Sequence, residues 1–281
     1  MPVDYRAPNI NARRLGLYLR QTREILELSY EEAAALLLCE CEWLVRVETG
    51  FESPSPAEVE RMMERYQVRG AKMADVMIDL SSRPDGPVWL ARHADRLKAS
   101  VRDVLIMESE ASVIHTHGVQ LVPQLVRAER YARHLAPHLN PGCDVDVEWD
   151  LLDNRQRYRA GGRARTLDVI IDEGALTLQL TEPEAMVAQL RHLLDLSERP
   201  ETTIRLIPRD AQWYETRIYP FDVLEFSEVN DRISLDHTIL GTDVSRGDLT
   251  EIWTHIERES AASPDESRDL IRRILAELTS A

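Results

Sequence analysis

The chain has 281 residues, 43% hydrophobic and 30% charged, with 34 basic against 49 acidic side chains and a net charge of −15. That length accommodates two ordinary domains, and that balance belongs to a globular chain, not a disordered one. The acidity excludes a broadly basic nucleic-acid surface, and no apolar run of about 18 residues is present to cross a membrane.

Three cysteines, Cys39, Cys41 and Cys143, make an odd count and read as free thiols of a reducing cytoplasm. The first residues lack the basic-then-apolar order of a secretory signal. The His and Cys spacings fit no zinc template, so no metal or other cofactor is expected.

Residues 1–11 read as an arm. From Ala12 to Leu26 the apolar residues Leu15, Tyr18, Leu19, Ile25 and Leu26 have amphipathic-helix spacing, leaving Arg13, Arg20 and Arg23 on the other face. Ser29 with Glu32 is a capping box, opening a second helix that should bury Ala33, Ala34, Leu37 and Leu38. A third helix, Cys41 to Thr49, turns Leu44 and Val47 inward and closes on the left-handed residue Gly50. Ser55, Pro56 and Glu58 start a fourth helix, burying Val59, Met62, Met63 and Tyr66. A fifth, Ala71 to Leu80, buries Met73, Val76, Met77 and Leu80.

Five short helices in 80 residues make a compact all-α unit over 12–80. The second and third, joined by a tight turn and ending Arg46-Val-Glu-Thr-Gly50, have the shape of a helix-turn-helix, whose second helix enters the DNA major groove. Residues 29–50 nevertheless hold five acids and one base, Arg46. The expected DNA contacts are Arg20, Tyr30, Glu42, Trp43 and Arg46. A glutamate can accept a hydrogen bond from cytosine N4, but Glu40 and Glu42 together repel phosphates unless each meets a base. Trp43 either packs inward, rotating the helix, or anchors a protein contact.

Residues 81–87, SSRPDGP, read as a linker. The second domain, 88–279, begins with helices through Glu110 and a short strand over 111–116. Helices follow around Tyr131 and Leu135 and over Val145–Tyr158, and then a strand from Arg165 to Asp172. Thr181, Pro183 and Glu184 cap a helix running to Ser197, and a strand covers Thr202–Pro208. Tyr219–Phe226 and Arg232–Thr238 look like a hairpin. Helices over Arg246–Glu259 and Pro264–Leu278 close the chain, the last capped by Ser263 with Glu266. The fold class is mainly α with a mixed α+β second domain of three to five strands.

Catalytic signals are sparse. His115 and His117 share a strand face, as a metal pair would, but no third ligand lies nearby. Asp168, Asp172 and Glu173 flank a strand; the plainer reading is that Asp172 and Glu173 cap a short helix. Gly161-Gly162 is a turn, not a phosphate loop. Arg155, Arg157, Arg159, Arg163 and Arg165 are the densest basic run, a solvated helix end or a surface for an acidic partner. No nucleophile–base set appears, so an enzyme is not expected.

The N-terminal segments resemble the XRE-type (lambda-repressor-like) helix-turn-helix domain in Leu15–Arg20, Leu28–Ala34, Arg46–Gly50 and the Ser-Pro-Ser-Pro entry to helix four. The resemblance implies that Glu48 pairs with an arginine of the first helix, assigned here to Arg20. Tyr30 replaces the family's usual Gln, Glu40-Cys-Glu-Trp43 its Ser-rich start, and Val45 its small polar residue.

The remainder resembles the long C-terminal domain of actinobacterial Scr-type antitoxin-like transcriptional regulators. It does so through Leu121-Val-Pro-Gln-Leu-Val126, Tyr131-Ala-Arg133, Arg155-Gln156, Leu167–Leu176, Val187–Leu196 and Thr203–Pro208, with Gln124 where the family usually has glycine. Together these imply a cytoplasmic regulator, dimeric on operator DNA, with a C-terminal sensing or partner-binding domain and a small partner protein from a neighbouring gene. The alternatives are a protein-interaction module that kept the helix-turn-helix scaffold without binding DNA and, third, a small-molecule enzyme on a repurposed scaffold.

Overall fold

The structure is a computed structural model and describes residues 10–68, 70–82, 88–93, 96–160, 165–177, 182–211, 219–226, 231–238, 241–245 and 247–280. Its first helices are α1 (Ile10–Ile25), α2 (Tyr30–Leu37), α3 (Cys41–Glu48), α4 (Pro56–Arg65) and α5 (Ala71–Ser82). Local chemistry sets their starts. Ser29 and Glu32 close a reciprocal capping box on α2, and Ser55 and Glu58 another on α4, with Pro56 in its first turn. The helices bury one core, built from Leu15, Tyr18 and Leu19 of α1, Leu44 and Val47 of α3, and Met62, Met63, Val76 and Met77 of α4 and α5.

Three apolar side chains assigned to buried faces lie outside that core. Ile25 is 81% exposed, Leu26 41% and Leu38 77%. Ile25 is the last residue of α1, and Leu26 and Leu38 lie just past their helices, where Glu27 (φ 56°) and Leu38 itself (φ 55°) adopt left-handed backbone that turns the chain off the helical face. The last turn of α5 takes in Ser81 and Ser82, whose hydroxyls donate to the Ile78 carbonyl. Residues 83–87 of the expected linker lie outside the described residues.

Helices α6 (Val88–Ala91) and α7 (Ala99–Glu110) follow, and the chain divides into two compact units between Met107 and Glu108. The second unit runs β1 (Val113–Gly118), a 3-10 turn (Gln124–Val126), α8 (Glu129–Leu139), α9 (Val145–Ala160), β2 (Thr166–Asp172), α10 (Gly174–Thr177), α11 (Pro183–Ser197) and β3 (Thr202–Ile207). After these come β4 (Phe221–Phe226), β5 (Asp231–Thr238), β6 (Gly241–Val244), α12 (Thr250–Glu259) and α13 (Pro264–Ser280).

The strands form one six-stranded sheet in the order β3-β2-β1-β4-β5-β6. β1 pairs parallel with β2, and β2 with β3, while β4 lies antiparallel to β1. Parallel neighbours need long crossovers, supplied by α8 and α9 and then by α10 and α11. One sheet face meets α12 through Ile170, Ile207, Phe221, Val223, Trp253 and Ile256. At the β3 edge the Leu206 N–H donates to the hydroxyl of fully buried Ser267, and the Leu206 carbonyl accepts from the Ala262 N–H, so both outward groups of Leu206 are satisfied within the chain.

Three expectations shift: the strand expected over 111–116 runs instead over Val113–Gly118. β6 is four residues long and was not anticipated. The helix expected from Arg246 starts only at Thr250, because the Asp248 carboxylate accepts from both the N–H and hydroxyl of Thr250 and fixes a turn there. Arg246 and the Thr181 cap fall outside the described residues, whereas the Ser263–Glu266 cap is formed.

Candidate nucleic-acid interface

The helix-turn-helix is held by a contact and an ion pair. Gly16 of α1 lies against the end of α3: a Cβ there would stand 2.4 Å from the Val47 carbonyl oxygen and 2.8 Å from that of Glu48. Arg23, not Arg20, pairs with Glu48. Its Nε donates to both Glu48 carboxylate oxygens at 2.8 and 3.1 Å, another guanidinium nitrogen donates at 2.9 Å, and a third reaches the Leu28 carbonyl. The Glu48 side chain is fully buried and that of Arg23 nearly so. Arg20 and Arg23 lie three residues apart, and the rotation of α1 fixed by the Gly16 contact turns Arg23 inward.

Arg20 points to solvent, with its Nε 2.8 Å from Glu24. Tyr30 is half-buried, its ring 4.0 Å beneath the Arg23 guanidinium, so it belongs to the lock between α1 and α3. Trp43 is half-buried and packs on the flank of the core, the inward reading of that side chain. The outward face of α3 therefore consists of Glu42, Arg46 and Thr49, with Val45 beside them and Glu40 at the N-cap. Arg46 is exposed and paired with Glu52 at 3.0 Å. Such a pair is worth about 0–1 kcal/mol, so a phosphate or guanine edge can replace Glu52 at little cost. The Glu40 side chain makes no capping bond, which leaves two acids at the positive end of α3.

In the second unit the basic run comes apart. Arg155 is no free cation: it forks onto Glu108 at 3.0 and 2.6 Å and donates to the Gln124 side chain at 2.5 Å. Gln124 thus fills a structural role in its 3-10 turn, which needs no left-handed residue there. Arg159, one turn on, is buried and donates to the carbonyls of Glu108, Ala111 and Thr166. A solvated helix end describes neither residue, because four-residue spacing puts both on the inward face of α9. Arg157 is exposed beside Asp153, and Arg165 lies over the Tyr158 ring. Arg163 and Gly161-Gly162 lie outside the described residues.

The remaining candidates serve the sheet. His115 lies 3.2 Å from Asp168, 3.5 Å from Glu225 and against Trp253. Asp172 accepts from the Gly174 N–H, capping α10, and Glu173 accepts from the Arg209 N–H. Among the described residues, no three His, Cys, Asp or Glu side chains are grouped to hold a metal ion. One polar cluster escaped notice: His237 Nε2 lies 2.8 Å from Asp222, with its Nδ1 2.8 Å from the Thr242 hydroxyl. Burial opposes both charges, yet each raises or lowers the other's pKa toward the ion pair. Pairing across strands through two histidine nitrogens leaves no local signal.

His117 is buried against Phe221, and burial pushes its pKa down to about 4. Its unfolded value lies near 6.5, so the unfolded chain binds the extra proton first. Its stabilising contribution is full above pH 6.5 and is lost as pH falls toward 4, by about 3 kcal/mol. Urea unfolding of His117→Gln should show that much less acid destabilisation over this window; an unchanged pH slope would refute the assignment.

The intact lock and the outward face of α3 define a helix-turn-helix protein, a class that points to a DNA-binding regulator rather than an enzyme. A family described as a helix-turn-helix domain matches residues 14–76. The family described as "Domain of unknown function (DUF5753)" matches residues 101–273, more than half of the chain, and the chain belongs to that family. No curated protein and no solved structure matches. No helix among the described residues is long and apolar enough to cross a membrane.

Proposed function

We propose that this chain is an antitoxin-like transcriptional regulator of the cytoplasm. Residues 12–80 read operator DNA as a homodimer, 81–87 form a linker, and 88–279 bind a ligand or a small partner protein from a neighbouring gene. The observation that carries this is the outward Glu42–Arg46 pair of positions on α3, one turn apart on a helix locked in place by Arg23 and Glu48. Arg46 serves a guanine or a phosphate and Glu42 a cytosine N4, with Arg20 on the flanking backbone. Trp43 and Tyr30 support that face from behind.

The test is binding to the DNA upstream of the chain's own gene across a salt series. Affinity should fall as salt rises, and Arg46→Ala should weaken it by about 1–3 kcal/mol. Folded protein that gives no retardation at low salt rules out the reading.

One observation favours the alternative, a protein-interaction module that does not bind DNA. Leu38 holds a left-handed conformation costly to a β-carbon, yet its side chain is largely exposed, at the mouth of a recess of about 240 Å3 shared with Trp43, Cys39 and Met62. Leu38→Gly should stabilise the folded chain by about 1 kcal/mol, since relief of that strain exceeds the added freedom of glycine in the unfolded state. A fall in Tm would show that the leucine supports the fold. A partner retained by Arg46→Ala but lost by Trp43→Ala would favour the alternative.

A further inference from the structure

Between α9, α11 and the starts of β2 and β3 lies a recess of about 190 Å3. Its wall carries four guanidiniums, from Arg157, Arg159, Arg165 and Arg199, against two carboxylates, Asp153 and Glu201. Asp153 is committed to Arg157 at 2.9 Å. Among the described residues, no carboxylate lies in ion-pair range of the other three arginines. Arg159 is 8% exposed and donates only to backbone carbonyls; Arg165 donates to the Tyr158 carbonyl and covers its ring. Burial, only partly offset by the Glu108 carboxylate and reinforced by Arg165, brings the Arg159 pKa down to about 10.

His192 completes the wall. Burial and nearby Arg199 lower its pKa, leaving a neutral imidazole with donor and acceptor nitrogens. The floor is apolar, formed by Leu125, Leu167 and Leu196. An excess of guanidiniums over carboxylates around a small, partly apolar recess matches a planar or tetrahedral oxyanion, and in a chain of net charge −15 the positive potential there is local. The volume is below the ~300 Å3 at which drug-sized pockets begin, so the guest is small.

We propose that this recess is a binding site for a small oxyanion ligand, a phosphate monoester or short carboxylic acid, gripped by Arg165 and Arg199 over the buried Arg159, with its carbon body on the leucine floor. The proposal rests on reading the second unit as a ligand-binding domain.

Calorimetric titration of the full chain with inorganic phosphate, glycerol phosphate and succinate, each against chloride at equal ionic strength, tests it. At least one oxyanion should bind saturably; preference for the phosphates or for succinate distinguishes the two sources of the anionic group. Arg199→Gln, at an exposed position, and Arg165→Gln should each weaken binding about tenfold or more, while Arg272→Gln on α13 should leave it unchanged. Should Arg165→Gln lower thermal stability, Arg199→Gln decides alone. Absence of saturable binding by all three anions, or parental affinity in Arg199→Gln, overturns the proposal. Operator binding measured on the same proteins separates the two readings: anion binding without DNA retardation removes only the DNA reading, and the converse removes only this site.

Discussion

Glu48→Ala should unfold the N-terminal unit or cost it about 3–5 kcal/mol, the largest loss expected from any single substitution in the helix-turn-helix. The side chain is fully buried, and its removal strips Arg23 of three charge-assisted hydrogen bonds, leaving a buried guanidinium with the Leu28 carbonyl, the Tyr30 ring and half-exposed Glu24 at 3.9 Å. Replacing both partners, Arg23→Met with Glu48→Leu, removes the stranded charge and should recover most of the loss. Urea unfolding of the two single variants and the double completes the cycle. A single variant within about 1 kcal/mol of the parent would mean that the pair does not hold α1 to α3. Arg20→Ala, at the residue first assigned to this role, should change stability little, because Arg20 and Glu24 are solvent-exposed.

Gly16→Ala separates local preference from packing by sign. Alanine favours a helix interior over glycine by about 1 kcal/mol, so α1 taken alone predicts stabilisation. Its methyl would sit 2.4 Å from the Val47 carbonyl and 2.9 Å from the Glu48 carbonyl carbon, and backbone cannot rotate out of the way as a side chain can. The substitution should cost about 3 kcal/mol, pushing α1 from the end of α3 and lengthening the Arg23–Glu48 bonds. Thermal unfolding checks the sign, and DNA binding by the folded fraction checks whether the pose of α3 has changed. A stabilised variant would contradict the close approach.

What was legible in the sequence was what is local. The capping boxes at Ser29, Ser55 and Ser263 place helix starts because each involves residues three apart, and the β-branched run Thr166–Asp172 marks a buried strand. The basic run and the reading helix could be located but not oriented. Whether Arg20 or Arg23 turns inward depends on how α1 lies on α3, and the inward turn of Arg155 and Arg159 depends on Glu108 and on carbonyls of other elements. Leu38 misled for a different reason: its hydrophobicity fits α2, but the helix ends one residue earlier and the left-handed backbone sends it to solvent. The Asp222–His237 pair and the anion recess gather residues from separate elements and leave no spacing to read.

The Ser267 hydroxyl on the Leu206 amide also governs how copies of this chain can associate. A sheet grows by adding a strand at an open border, and α13 occupies the β3 border with a hydrogen bond of its own. The other border strand of the sheet is β6, four residues long and a poor template for strand-to-strand association. A chain cut before Pro264 would expose the Leu206 amide and acquire a second sticky border, so loss of the last helix should be read out as self-association as well as lost stability.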